Sequence, residues 1–106
     1  MATALAAMKG QAHVSDCLLR LYIAGRSAIS QRAESHLRQL HRSIKLECNI
    51  EIIDVLKSPE LAEQAGVLAT PTLSYEHPSR SRRIIGDLSD TKRIVEFLGI
   101  ELKEQT

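Results

Sequence analysis

A proline stands where this chain enters an extended run, in Leu68-Ala69-Thr70-Pro71-Thr72-Leu73. It follows Ile52-Ile53-Asp54-Val55-Leu56-Lys57-Ser58-Pro59-Glu60-Leu61-Ala62-Glu63, which reads as a strand leading into a helix. Proline cannot donate to a strand ladder, so within sheets it is confined to edges, bulges and first positions. A cis X-Pro bond is a minority state selected by tertiary context. A proline at a strand's first position, as Pro71 is directly after a strand–helix unit, is therefore expected to have a structural purpose. Pro71 thus points to an α/β chain in which a strand opens on a fixed corner.

The preceding half has the pattern of a βαβ crossover. From Cys17 to Ala24, Leu19, Leu21 and Ile23 line one face of a predicted strand, with Leu18, Arg20 and Tyr22 on the other. Gly25 ends it, and Ser27 or Ser30 is placed to cap a helix. Ala33, Leu37, Leu40 and Ile44 form one apolar stripe on that helix. Glu34 and Arg38 form an i, i+4 pair on its wet side. Ile50 to Val55 is apolar on both faces apart from Glu51 and Asp54, as expected of a strand covered by helices. Such a crossover is right-handed.

The second half is punctuated differently. Ser58-Pro59-Glu60 offers a capping serine, a proline at the first helical position and an acid in the first turn, for a helix ending near Gly66. Residues 72–75 and 82–85 read as short strands joined by a turn-rich link. Ser89 is the expected cap of a last helix with Ile94, Val95 and Leu98 on its apolar face and Gly99 at its end. The order β-α-β-α-β-β-α resembles a minimal thioredoxin-like fold: one small α/β domain over residues 17–101. Residues 1–16 are expected to form a flexible arm and 102–106 a tail.

Composition excludes several functions. Tyr22, Tyr75 and Phe97 are the only aromatic residues, so the core is aliphatic and base-stacking platforms are scarce. A net charge of +1 gives no global steering toward nucleic acid or a membrane. No run approaches membrane-spanning length, and the first residues lack a basic region followed by a long apolar one. A cytoplasmic location is expected.

Candidate chemistry is sparse. In a thioredoxin-like domain the reactive loop joins the first strand to the first helix. Here it is Gly25-Arg26-Ser27-Ala28-Ile29-Ser30, without cysteine, so thiol–disulfide exchange by that route is excluded. Cys17 and Cys48 each open a predicted strand, which leaves a close approach open. Sparse cysteine use and the absence of a secretory signal favour packing residues over a disulfide. Ser30 at a helix start, with Pro71, Asp87 and Ser89, also fits a domain binding glutathione or another thiol ligand. His36 and His41 lie about 140° apart around a helix and share no face, so surface histidines are expected and no metal or other cofactor. Asp54, Asp87 and Glu60 have no His or Ser partner that spacing alone assigns, and no enzyme is indicated. The cluster Arg80, Arg82 and Arg83 is the strongest interaction signal, since guanidinium groups pair bidentately with carboxylates.

Several segments in order resemble the KaiB family of clock proteins. They are Leu21-Tyr22-Ile23-Ala24-Gly25 with Ser30 and Arg32-Ala33, then Ile53-Asp54-Val55-Leu56-Lys57 with Pro59 and Leu61-Ala62-Glu63. Next come Leu68-Ala69-Thr70-Pro71-Thr72-Leu73 and Arg82-Arg83-Ile84-Ile85-Gly86-Asp87-Leu88-Ser89-Asp90. The chain departs from the family pattern at Ser27-Ala28, at Gln64-Ala65-Gly66 and at His77-Pro78-Ser79-Arg80, and reads as a divergent homologue. The resemblance implies a non-enzymatic partner of KaiC, a hexameric RecA-like ATPase. Arg32, Lys57, Arg82 and Arg83 are the implied partner-binding residues; Gly25, Pro71, Gly86 and Asp87 define the fold. It also implies a C-terminal half with two arrangements: a β-α-α-β ground state that forms dimers or tetramers, and a thioredoxin-like α-β-β-α form.

Overall fold

The alternation in residues 17–23 becomes a central strand whose two faces enter different cores. In the computed structural model, which describes residues 17–103, the first elements are β1 (Cys17–Ile23), α1 (Ala28–Ser43) and β2 (Cys48–Asp54). They are followed by α2 (Pro59–Ala65), β3 (Thr72–His77), β4 (Arg80–Ile85) and α3 (Thr91–Leu98). The four strands form one sheet in the order β2-β1-β3-β4, parallel between β1 and β2 and antiparallel elsewhere. This is the order read from the sequence, with the second half as α-β-β-α. The arm assigned to residues 1–16 lies outside the described residues.

Leu19, Leu21 and Ile23 of β1 pack with Leu73 and Tyr75 of β3, with the Ala33, Leu37, Leu40 and Ile44 stripe, and with Ile94, Val95 and Leu98 of α3. Leu19, Leu21 and Leu37 are wholly buried, each contributing about 1.5–3 kcal/mol of transfer free energy. On the other face Tyr22 meets Ile53 and Ala62 in a smaller cluster beneath α2. Thus α1 and α3 cover one side of the sheet and α2 the other.

Helix ends follow the sequence in part. Ser27 caps α1, its hydroxyl accepting from the Ser30 N–H at 3.1 Å. Ser58 precedes α2 but makes no side-chain cap bond; Pro59 follows it. The cap of α3 is Asp90 rather than Ser89, its carboxylate accepting from the Arg93 N–H at 3.2 Å. Ser89 is unavailable because its N–H and hydroxyl both donate to Asp87, each at 2.9 Å. Strands β3 and β4 run further than expected and leave only Pro78-Ser79 in the turn.

The expectation that Cys17 and Cys48 serve only as packing residues is overturned. The parallel register sets them directly opposite, with Cα atoms 4.4 Å apart, and they form a disulfide. Register between two strands is a tertiary property, so cysteine spacing along the chain did not reveal the pair. At the other terminus, Leu102 bridges Ile44 and the Lys103 N–H donates to the Ser43 carbonyl at 2.7 Å, so the packed body continues to residue 103.

Closing a loop of sequence separation 31 removes unfolded-state entropy worth about 3.7 kcal/mol. Reduction with dithiothreitol should therefore lower the unfolding free energy by about that amount in a denaturant titration. Coincident curves with and without reductant would contradict the pairing.

Candidate partner-binding surface

Two corners at one end of the sheet are built from backbone geometry. At the first, Gly25 ends β1 with φ of +70°, a left-handed conformation that suits glycine. The Asp54 carboxylate, at the end of β2, accepts the N–H of Gly25 at 2.9 Å and of Leu56 at 3.0 Å. One side chain thus fixes the β1–α1 and β2–α2 loops together. Those bonds, the Gly25 one foremost, hold the Asp54 carboxyl below its ordinary range, with Lys57 and Arg26 reinforcing them. Lys57 is exposed on the second loop.

At the second corner the Thr70–Pro71 bond is cis. The Pro71 carbonyl accepts the Gly86 N–H at 2.9 Å, and Gly86 has φ of +102°. Asp87 follows, its carboxyl lowered first by the Ser89 hydroxyl, then by the Ser89 N–H, with His36 and Arg32 adding to the effect. Arg32, His36, Pro71, Gly86, Asp87 and Leu88 surround a cleft of about 300 Å³. The structure therefore gathers Gly25, Arg32, Lys57, Pro71, Gly86 and Asp87 at one end of the sheet, drawn from both halves of the chain.

Arg82 and Arg83 sit elsewhere, along β4, and alternate between its faces. The Arg82 guanidinium stacks over Phe97 at 5.2 Å from the ring centroid, a cation–π contact. Arg83 points to the opposite side and donates to the carbonyls of Ala65 and Gly66, where the negative end of α2 favours a cation. Arg80, on the face of Arg82, donates to the Leu98 carbonyl at 3.0 Å at the end of α3. The three arginines of the sequence cluster thus tie β4 to its neighbouring helices.

Other readings are resolved by their partners. Ser30 is buried and its hydroxyl donates to the Ala24 carbonyl at 3.3 Å, so it serves the loop itself. His41, expected on the surface, is half-buried, with Nε2 placed 2.7 Å from the Cys48 carbonyl. Asp87 does have a hydroxyl partner, Ser89, two residues away. Among the described residues, no three His, Cys, Asp or Glu side chains gather as metal ligands, and no helix is long and apolar enough to cross a membrane.

Sequence reasoning missed an apolar component. Ile29 opens α1, Leu56 follows β2, Leu68 precedes Pro71 and Ile85 ends β4, all at the end of the sheet that holds the two corners. Their exposures are 59%, 70%, 97% and 68%. Exposed large apolar side chains at one end of a sheet are candidates for an interaction surface. Periodicity identifies a buried stripe but not an exposed apolar residue in a loop or at an element's end, so the missing signal was burial.

A family model described as KaiB domain matches residues 20–100. A protein named circadian clock oscillator protein KaiB from Prochlorococcus marinus (strain NATL2A) is 48% identical over 86 residues, 80% of this chain and 78% of that protein. The like-named protein of Synechococcus sp. (strain CC9311) is 48% identical over 86 residues, covering 80% of this chain and 71% of its own length. The N-terminal domain of SasA from Synechococcus elongatus superposes with a TM-score of 0.66 at 22% identity, covering 89% of this chain and 93% of that domain. Mitochondrial thioredoxin 3 from Saccharomyces cerevisiae gives 0.64 at 21% identity, covering 80% and 78%. The fold is thioredoxin-like.

The acid sensitivity of the first corner follows from Asp54. A carboxyl with a depressed folded pKa adds stability that is complete above its unfolded value, about 3.9, and is lost as pH falls toward the folded value. Denaturation midpoints should therefore decline below about pH 4, and Asp54→Asn should flatten that decline. An unchanged acid slope in the variant would contradict the assignment.

Proposed function

This chain belongs to the KaiB family, and we propose that it is a non-enzymatic regulatory protein of a KaiC-type ATPase, a hexameric RecA-like partner. Its setting is a clock, or clock-derived signalling such as stress adaptation. The reading is supported by relatives named as clock oscillator proteins. The observation that carries it is the surface at the corner end of the sheet, where Ile29, Leu56, Leu68 and Ile85 are exposed beside Arg32 and Lys57. Apolar groups there lose water on docking, while the cations give orientation and complementarity to an acidic partner surface. Arg82 and Arg83 extend the basic character along β4.

Replacing Arg83 by Glu should weaken binding to the ATPase by about 1–3 kcal/mol if the guanidinium makes a charge-assisted contact. Calorimetric titration measures this, with circular dichroism confirming that the variant is folded. Unchanged affinity would remove Arg83 from the interface.

We further propose that the second half exchanges this α-β-β-α arrangement for a β-α-α-β ground state that assembles into dimers or tetramers. The packing supports a small energy gap: Ala62 is the one buried residue of α2, and no residue of β4 is fully buried. Gly66, Gly86 and Gly99, all with positive φ, mark places where helix and strand can exchange. Two such packings must lie within a few kcal/mol of each other. Sedimentation and NMR of the free protein should show mainly oligomer with a monomeric minority. A single thioredoxin-like monomer with no second set of peaks would contradict this.

A further inference from the structure

We propose that the outer edge of β4 is a docking strand for an extended acidic segment of a partner protein, added to the sheet as a fifth strand. Among the described residues β4 pairs only with β3. The Gly86 N–H bonds inward to Pro71. Bonding alternates along an antiparallel pair, so Ile84, Arg82 and Arg80 also face β3, while Ser81, Arg83 and Ile85 present their N–H and C=O groups outward. Such a row of backbone groups is a template for another strand.

The side chains select the occupant. Arg80, Arg82, Arg83 and Arg93 are exposed, and among the described residues none has a carboxylate within ion-pair distance. Arg80 and Arg83 rest on helix carbonyls and Arg82 on the Phe97 ring, all neutral partners. Arg20 and Arg38, by contrast, hold Glu51 and Glu34. A second copy of this chain pairing β4 to β4 would oppose arginine to arginine, which is destabilising. A segment carrying Asp or Glu reverses the sign of that term and gives each guanidinium a charged acceptor.

The groove between β4 and α3, about 380 Å³ in volume, is lined by Ile84, Ile85, Phe97 and Arg93. It receives alternate side chains of such a strand. Asp87 and Asp90 lie at the Ile85 end of the same groove. Acidic side chains therefore belong beside Arg80 to Arg83, with an apolar one toward Ile85. The proposal goes beyond the ATPase reading: it requires no ATPase, and its test involves none.

The probe is a fluorescein-labelled peptide of eight alternating glutamate and valine residues, titrated into the full-length chain. It should bind and slow the amide hydrogen exchange of Ser81, Arg83 and Ile85. N-methylation of alternate peptide nitrogens, which leaves charge intact but blocks strand pairing, should abolish binding, and a lysine–valine peptide should not bind. Arg82→Glu should weaken binding about tenfold. Ser81→Pro, which removes one outward donor without altering charge, should weaken it as well. No binding at millimolar peptide, equal binding of the N-methylated or lysine peptide, or protection of β2 amides instead would each overturn the proposal.

Discussion

Strand β1 is hydrogen-bonded along both edges, to β2 and β3, and buried on both faces. Its side chains belong to the two hydrophobic clusters at once, Leu19, Leu21 and Ile23 to the larger and Tyr22 to the smaller. The parallel pair it forms with β2 is clamped at each end. The Cys17–Cys48 disulfide closes the beginning, and the Asp54 carboxylate closes the end by holding Gly25 and Leu56. With α1 spanning the crossover, this half is a fixed base for everything attached to it.

The second half is attached with less burial. Strand β3 contributes four buried side chains and α3 three, but α2 contributes one and β4 none. In place of apolar packing, β4 is tied on by arginines: Arg83 to the end of α2, Arg80 to the end of α3, and Arg82 over Phe97. Exposed guanidinium contacts with carbonyls and rings are each worth little beside a buried leucine. That imbalance leaves room for rearrangement in one half without loss of the other. It also leaves cations and apolar side chains at the surface, where a partner can use them.

The fold was legible because its main signals are local. The Leu19, Leu21, Ile23 alternation, the Ala33, Leu37, Leu40, Ile44 stripe and the Pro59 helix start all depend on neighbours in sequence, and all appear where expected. Gly66 and Gly99 end helices in the left-handed conformation, as their positions indicated. Features set by distant pairing were not legible. The disulfide depends on strand register, and the surface depends on which large apolar residues remain exposed. The cap of α3, a local feature, depends on Asp87 engaging Ser89, which leaves Asp90 to cap. That Arg82 and Arg83 alternate in face follows from strand geometry alone; that Arg83 reaches the end of α2 requires the packing of that helix.

A regulatory role for this chain rests on one physical claim: the exposed apolar and basic surface at the corner end of the sheet fits a RecA-like ATPase. Affinity isolation of the tagged full-length chain from its native host tests it most directly. The account predicts that a hexameric RecA-like ATPase is recovered with the chain and is lost when exposed Leu68 is replaced by Asp. Recovery of no such ATPase with the folded wild-type chain, or equal recovery with both forms, would contradict it.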